Sequence, residues 1–367
     1  MSYKVPFIDY PAHYRSMQAE ITSAISDVLF RRADLILRDD VKEFESRMAS
    51  FLGTEYAVGV NSCTDALHLS LYASGVVCGD EVITVAHTFL ATLEAIIWCG
   101  ATPVLVDIGE DFNMSVDLVE DAITAKTKAI LPVHLNGRVC NMEKLLQVTR
   151  KHNLIMIEDA AQALGATFDG KKAGSFGLAG CFSFYPAKLL GAAGDAGLVV
   201  TNSRELADKI RLLRDHGRKS KQEHAFYGFN SRLDNLQAAI LNVKLQYLAR
   251  WIQHRREIAG MYREGLQDIS SLRLPHFNES RHFDVYQNYV IRAQDRNALV
   301  EHLNKMGVEV LVSWRTPLHK QTGLGLDHLR LPLTEQISNE VVSLPMNTEL
   351  TEDHIKYVIE CVRKFYL

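Results

Sequence analysis

The residues best suited to covalent chemistry lie in one run, Phe182-Ser183-Phe184-Tyr185-Pro186-Ala187-Lys188. A lysine that directly follows a strand and a proline projects from a rigid support at a sheet edge. Burial and neighbouring cations lower the pKa of such a lysine and free its amine to form a Schiff base. A lysine after a proline in a loop is more often simply solvated, but the apolar neighbours Leu189 and Leu190 tilt this one towards burial. Ser183, in the same run, can donate to a phosphate. A second group is Asp159, which closes the apolar run Leu154-Ile155-Met156-Ile157-Glu158. A carboxylate at the tip of a buried strand is well placed to meet a cationic ring nitrogen. A cap on the next segment is an equally common use of an aspartate there. Gln162 follows within one turn and can reach a ring hydroxyl.

Two further segments offer anion binding. Asn61-Ser62-Cys63-Thr64-Asp65 stands between a strand and a helix, where free N–H groups and the positive dipole end suit a phosphate. An ordinary cap by Ser62 or Thr64 explains the same residues. No GxGxxG or GxxxxGK[ST] follows any strand, which argues against a dinucleotide fingerprint and a P-loop. Phe229-Asn230-Ser231-Arg232-Leu233-Asp234 is either a capped helix start or a loop presenting Asn230 and Arg232 to an anion. Taken singly, none of the four segments specifies a function. A lysine for a Schiff base and a carboxylate for a pyridinium nitrogen are both demands of pyridoxal phosphate (PLP), whose protonated ring is the electron sink.

The elements that must position these groups alternate. Strands are expected at Ala57–Val60, Glu81–Val85, Pro103–Asp107, Ala129–His134 and Leu154–Glu158. Helices are expected at 64–73, 89–98, 116–123 and 142–152. This rhythm gives a largely parallel sheet covered on both faces, with ligands beyond the carboxyl ends of the strands. After Asp159 it changes. Cys181–Tyr185 and Leu198–Thr201 leave little room for a helix between them, which implies an antiparallel pair. A helix from Glu205 to Asp215 follows. A long helical stretch from Leu233 to Ile258 is expected to link a large domain, 1–245, to a smaller C-terminal domain, 246–367. Within the latter, Tyr289–Arg292 and Val308–Val312 read as strands, with helices from Arg296 to Lys305 and from Thr351 to Phe365.

The bulk properties fit an ordinary globular chain. It has 367 residues, 47% hydrophobic and 23% charged, with a net charge of −4. No basic field suggests nucleic acid, and no apolar run is long enough to span a bilayer. The N-terminus lacks the apolar stretch of a signal peptide. The six cysteines, Cys63, Cys78, Cys99, Cys140, Cys181 and Cys361, form no CxxC and no metal-type cluster. They read as reduced thiols of a cytoplasmic protein, without a metal.

The order of the motifs resembles the DegT/StrS group of sugar aminotransferases, from Pro6-Phe7-Ile8-Asp9 almost to the C-terminus. The resemblance rests on Ser62-Cys63-Thr64-Asp65-Ala66-Leu67, Gly79-Asp80-Glu81-Val82-Ile83, Thr88-Phe89 with Ala91-Thr92, and Pro132-Val133-His134-Leu135. It continues through Glu158-Asp159-Ala160-Ala161-Gln162, the run from Phe182 to Lys188, Gly194-Asp195-Ala196-Gly197, and Asn230-Ser231-Arg232-Leu233-Asp234. The group has the α/β fold type I of PLP enzymes: a mostly parallel seven-stranded sheet between helices, with a smaller α+β C-terminal domain.

The resemblance implies roles. Lys188 would hold the cofactor as a Schiff base and shuttle a proton. Asp159 would pair with the pyridinium nitrogen, Gln162 with the ring hydroxyl, and Phe89 would stack on the ring. The Cys63 backbone, Thr64 and Ser183 would hold the phosphate. Asn230 would reach the phosphate of a neighbouring subunit, making the active unit a homodimer with shared sites. Tyr185, Arg232, Trp314 and His319 would meet the substrate. The expected reaction uses the PLP and pyridoxamine phosphate forms to carry an amino group from L-glutamate to a keto group on a nucleotide-linked deoxysugar. The Gly-Asp-Ala-Gly variant and the Pro-Phe-Ile-Asp opening lean to carbon 3 rather than carbon 4.

Several positions, in four segments, depart from the common pattern. Cys63 replaces a usual Gly, which requires ordinary backbone angles there. Pro186-Ala187-Lys188-Leu189 stands for Pro-Gly-Lys-Asn, and His134-Leu135-Asn136-Gly137 for His-Leu-Tyr-Gly. Ser313-Trp314-Arg315 stands for His-Tyr-Pro before the retained Pro317-Leu318-His319, in a segment that commonly lines the sugar site. Related dehydratases that use pyridoxamine phosphate carry a His in place of the lysine, so Lys188 argues against that rival. A non-catalytic regulator of the same fold would have lost the catalytic polar groups.

Overall fold

The chain is described by a computed structural model covering residues 3–367. The central sheet takes β1 (Tyr56–Val60), β2 (Glu81–Val85), β3 (Thr102–Val106), β4 (Thr127–Ile130), β5 (Ile155–Asp159), β6 (Ala179–Ser183) and β7 (Gly197–Thr201). Their order across the sheet is β1-β7-β6-β5-β4-β2-β3. Only β7 runs against the others, pairing antiparallel with both β1 and β6. The 184–196 connection after β6 contains no helix, whereas a parallel return is usually made through a crossover helix.

Alternation along each strand sends side chains to two cores. Val58, Val60, Ile157, Cys181 and Val199 face a layer formed by the Cys63–Ala73 and Arg204–Leu213 helices. Ala57, Met156, Phe182, Leu198 and Val200 face the layer of the Asp39–Leu52, Met142–His152 and Asn235–Leu245 helices. Both faces are dry, which is why these strands read as continuous apolar runs rather than alternating ones.

A third core gathers Val5, Tyr262, Tyr289, Leu299 and Val358. It is built on a three-stranded antiparallel sheet, β8 (Leu272–Arg273), β9 (Tyr289–Ala293) and β10 (Val341–Leu344), in the order β8-β9-β10. The Leu248–Leu266, Arg296–Lys305 and Glu352–Tyr366 helices belong to this unit. His282–Phe283 pairs with Thr167–Phe168, stitching the C-terminal segment to the larger one.

Three sequence expectations need correction. The helical stretch expected over 233–258 is two helices, Asn235–Leu245 and Leu248–Leu266, which meet at Gln246-Tyr247. Both bury apolar faces, so the pattern runs on through the break. The stretch 116–123 forms two short 3-10 turns, Val116–Leu118 and Glu120–Ala122. Val308–Val312 is no strand; Val308 and Leu311 make single bridges to Val5 and Ser343. The third strand of that sheet is β10, which the pattern did not single out.

Candidate active site

The carboxyl end of the central sheet carries the site. Register aligns Val60 with Gly197, Gly197 with Ser183, and Asp159 with Cys181, so four strand ends lie side by side. Above them a cavity of about 480 Å³ is lined by Cys63, Thr64, Asp159, Gln162, Ser183 and Lys188, among others. Residues separated by more than a hundred positions in sequence thus converge on one hollow.

One wall is a helix start. Ser62 caps the Cys63–Ala73 helix, its hydroxyl accepting from Asp65 N–H at 3.1 Å while its carbonyl accepts from Ala66 N–H. The N–H groups of Cys63 and Thr64 precede those bonds and are the ones a helix leaves for a ligand. Cys63 has ordinary backbone angles, as its side chain requires. β7 passes directly beneath. A Cβ on Gly197 would lie 2.3 Å from Ser62 C and 2.7 Å from Cys63 N, so only glycine lets the strand and the helix start approach. Ser183 Oγ accepts from Tyr185 N–H at 3.3 Å, which leaves its own proton free to donate.

Asp159 lines the same cavity from the tip of β5 and is buried. Oδ2 accepts from Thr92 Oγ1 at 2.8 Å, and Oδ1 from Ala161 N–H at 3.2 Å. Burial raises its pKa, while these donors and the nearby Lys188 pull the other way. It therefore acts as a turn cap and as a cavity carboxylate at once. The neighbouring Glu158 points to the other face of the strand. It accepts from the N–H groups of Gly174, Phe176 and Gly177, each at 2.7 Å, and meets His134 Nε2 at 2.9 Å. Cys140 N–H donates to His134 Nδ1 at 3.2 Å, so the His134 proton sits on Nε2, facing Glu158. That network fixes the strand tip from which Asp159 projects.

Lys188 follows β6 in a loop outside helix and strand. The approach to it is anchored by Phe184, fully buried and packed edge-on against Phe44 with ring centroids 5.2 Å apart. Burying such a ring stabilises by about 1.5–3 kcal/mol. Lys188 is half-buried, lines the cavity and has Cys63 and Asp159 as charge neighbours of its amine. Desolvation lowers its pKa, as Schiff-base chemistry needs. The Cys63 thiol is pushed well above its ordinary value by burial and stays protonated. Gln162 Oε1 accepts from Asn136 N–H at 2.8 Å in the same wall. Phe89 and Tyr185 stand at the rim, 66% and 54% exposed.

The remaining expected residues lie elsewhere. Asn230 is exposed and outside its own cavity wall, although Ser231 beside it donates to Asp65 Oδ2 at 2.7 Å and so ties that loop to the phosphate-type helix. Arg232 pairs with Asp215 at 2.9 Å. Trp314 sits near His87, with ring centroids 5.7 Å apart, and adopts a left-handed backbone at φ 53°. His319 is buried against Glu335 at 3.1 Å, away from the cavity. Thr92 was missed as a functional residue. Its only signal was membership of the Thr88-Phe89, Ala91-Thr92 motif. Among the described residues, no cluster of metal-ligating side chains is found.

The cavity fits PLP. A helix start with free N–H groups, a buried carboxylate that makes no ion pair among the described residues, and a desolvated lysine line it together. Comparisons with known proteins agree. The model of the DegT/DnrJ/EryC1/StrS aminotransferase family matches residues 15–363. The chain is 42% identical to the pleiotropic regulatory protein of Geobacillus stearothermophilus, over 99% of its own length and 98% of the relative's. It is 40% identical to the UDP-N-acetyl-3-dehydro-alpha-D-glucosamine 3-aminotransferase of Acidithiobacillus ferrooxidans, over 98% and 97%. The crystal structure of Streptomyces venezuelae DesV in complex with a ketimine intermediate superposes with a TM-score of 0.96 at 38% identity, covering 100% of this chain and 99% of that one.

Proposed function

This chain belongs to the DegT/DnrJ/EryC1/StrS aminotransferase family, and from that premise we propose that it moves an amino group from L-glutamate to a keto group at carbon 3 of a nucleotide-diphosphate-linked deoxysugar. The enzyme is a PLP-dependent sugar aminotransferase. Carbon 3 is supported by the name of the Acidithiobacillus relative and by the Gly194-Asp195-Ala196-Gly197 run. The product would be an amino sugar for a surface polysaccharide or glycoside. Six unpaired cysteines, and no helix long and apolar enough to cross a membrane among the described residues, support work in the cytoplasm.

The observation that carries the reading is the enclosure of Lys188 and Asp159 in one cavity, beneath the Cys63 helix start. When bound, PLP supplies the electron sink and carries the amino group between two half-reactions. The protein groups do the rest. The N–H groups of Cys63 and Thr64 and the Ser183 hydroxyl would hold the phosphate. Asp159, whose ionised form Thr92 Oγ1 and Ala161 N–H favour against the burial that raises its pKa, would keep the ring nitrogen protonated. Gln162 would orient the ring, and Phe89 would cover its face and exclude water. The lowered pKa of Lys188 lets its amine take a proton from the substrate carbon and return it. The Asn230 loop would complete the phosphate site of a second subunit, so the working unit is a homodimer.

A regulatory role without catalysis would relieve the cavity of any need for Lys188, Asp159, Thr92 and Gln162. All four line it. The direct test is incubation with ¹⁵N-glutamate and a panel of dTDP-, UDP- and GDP-linked keto sugars, followed by mass spectrometry. Transfer of ¹⁵N to carbon 3 is expected. Transfer to carbon 4 would correct the position, and no transfer to any sugar would overturn the reading.

A further inference from the structure

The backbone that carries Lys188 is splinted by one side chain from the C-terminal unit. Gln287 Oε1 accepts from Leu189 N–H at 2.8 Å, and Gln287 Nε2 donates to the Ala187 carbonyl at 3.0 Å. One carboxamide thus straddles Lys188, bonded to the residue before it and the residue after it. The two peptide groups differ in polarity, so they fix which end of the amide is oxygen.

The splint is itself held from several sides. Gln287 is buried, and Arg255 Nη1 donates to the carbonyls of both Tyr286 and Gln287 at 3.0 Å. Val285 N–H donates to the Gly137 carbonyl at 3.0 Å. Gly137 has φ +97°, and a Cβ there would lie 2.7 Å from Tyr286 N and 2.8 Å from Gln287 N. Only glycine lets the two segments come this close. The next residue extends the arrangement: Asn288 Nδ2 donates to Asn136 Oδ1 at 3.4 Å, and Asn136 N–H to Gln162 Oε1 at 2.8 Å. Further along the loop, Lys244 donates to the Gly191 carbonyl and Tyr14 to the Ala192 carbonyl, the latter at 3.0 Å. At Lys188 itself the only other main-chain tie among the described residues is its N–H to the Tyr185 carbonyl at 2.8 Å, inside the same loop.

We infer that Gln287 is a positioning residue for the reaction: acting through the main chain on both sides of Lys188, it sets the direction from which the amine enters the cavity. The inference rests on Lys188 being the cofactor lysine. A small rotation of the 187–189 peptides is amplified along the lysine side chain, and misplacement of a reacting atom by 1 Å can cost roughly 10²-fold in rate.

The test uses the holoenzyme and two variants, Gln287→Leu and Gln287→Glu. Three quantities are read: the pH midpoint of the visible absorbance of the lysine-bound cofactor, kcat against KM, and deuterium uptake by the peptide spanning 184–193. Gln287→Leu should lose kcat on the order of 10²-fold with KM little changed, shift the absorbance midpoint, and speed exchange in that peptide. Gln287→Glu is the conservative partner. Its protonated carboxyl has the shape and polarity of the amide, whereas its carboxylate faces the Ala187 carbonyl without a proton to give. It should match the wild type at low pH and fall to the leucine variant's level as it ionises. Wild-type midpoints and kcat in both variants would overturn the inference. If the leucine variant fails to fold, a glutamate variant indistinguishable from wild type at every pH would do the same. Borohydride labelling of the wild type separates the two layers. A label on another lysine removes the reading of Lys188 and this inference with it, while a label on Lys188 with unaltered variants removes only the role of Gln287.

Discussion

Thr92 Oγ1 donates to Asp159 Oδ2 at 2.8 Å, inside the wall of the cavity that holds Lys188. Both partners are buried, so the bond acts in a medium where an ionised carboxylate depends on its donors. Burial raises the Asp159 pKa and the Thr92 hydroxyl lowers it. Thr92→Val should therefore raise that pKa further, and the acid limb of kcat/KM should move to higher pH. An unmoved limb in the pH–rate profile would mean that Thr92 only packs.

Asp159→Asn should lose most activity while keeping the fold. An amide cannot hold the pyridine nitrogen protonated, so the electron sink weakens. Steady-state turnover with far-ultraviolet circular dichroism as the folding control checks this. Near-normal turnover would leave Asp159 as a turn cap for Ala161.

Lys188 makes a spectroscopic prediction. The purified protein should absorb in the visible region and bleach with borohydride, and peptide mapping should place the reduced label on Lys188. Lys188→Ala should still bind cofactor without a covalent bond, yet lose turnover by roughly several orders of magnitude, since attachment and proton transfer fail together.

Asn230 tests subunit sharing. It lies outside its own cavity, beside a serine tied to the helix that begins at Cys63. Asn230→Ala should weaken PLP binding by about 1.5–3 kcal/mol, the loss of one hydrogen bond to a charged group. Mixing Lys188→Ala with Asn230→Asp subunits gives a sharper answer. If sites are shared across a two-fold, some heterodimers hold one site with both native residues, and activity partly returns. No recovery after verified exchange would place Asn230 outside the partner's site.

Lys244 predicts a pH dependence of stability. It is almost wholly buried, and desolvation lowers its pKa to about 8. In the unfolded chain it returns to the ordinary lysine value. Between the two values the unfolded state binds more protons, so stability rises with pH from about 8 towards 10.5. The buried charge is a cost below that window and disappears above it, with a full span of about 3 kcal/mol. Lys244→Met should flatten this rise. The check is urea unfolding of both proteins across the window, and equal slopes would reject the assignment.

Much of the site was legible locally. Lys188 after Pro186, Asp159 at the end of an apolar strand, and Ser62-Cys63-Thr64 at a helix start each follow from short-range rules: strand period, capping, and loops at carboxyl ends. The antiparallel β7 followed from a connection with little room for a helix. Those signals are written in adjacent residues, so the sequence alone determined which side chains reach the sheet edge, while their roles towards a cofactor came from the resemblance carried by the motifs in order.

Other features are decided by packing between distant segments. The break at Gln246-Tyr247 is invisible because both helices bury apolar faces against the protein interior. His319 sits in a motif that suggested the sugar site, yet the fold turns it inward to Glu335. The Thr92 bond spans 67 positions and the Gln287 bond to Leu189 spans 98. A threonine in a helix and a glutamine before a strand carry no local mark of these partners. Their roles exist only once the tertiary structure removes water from the contact and leaves a buried carboxylate and a loop backbone that must find donors and acceptors within the protein.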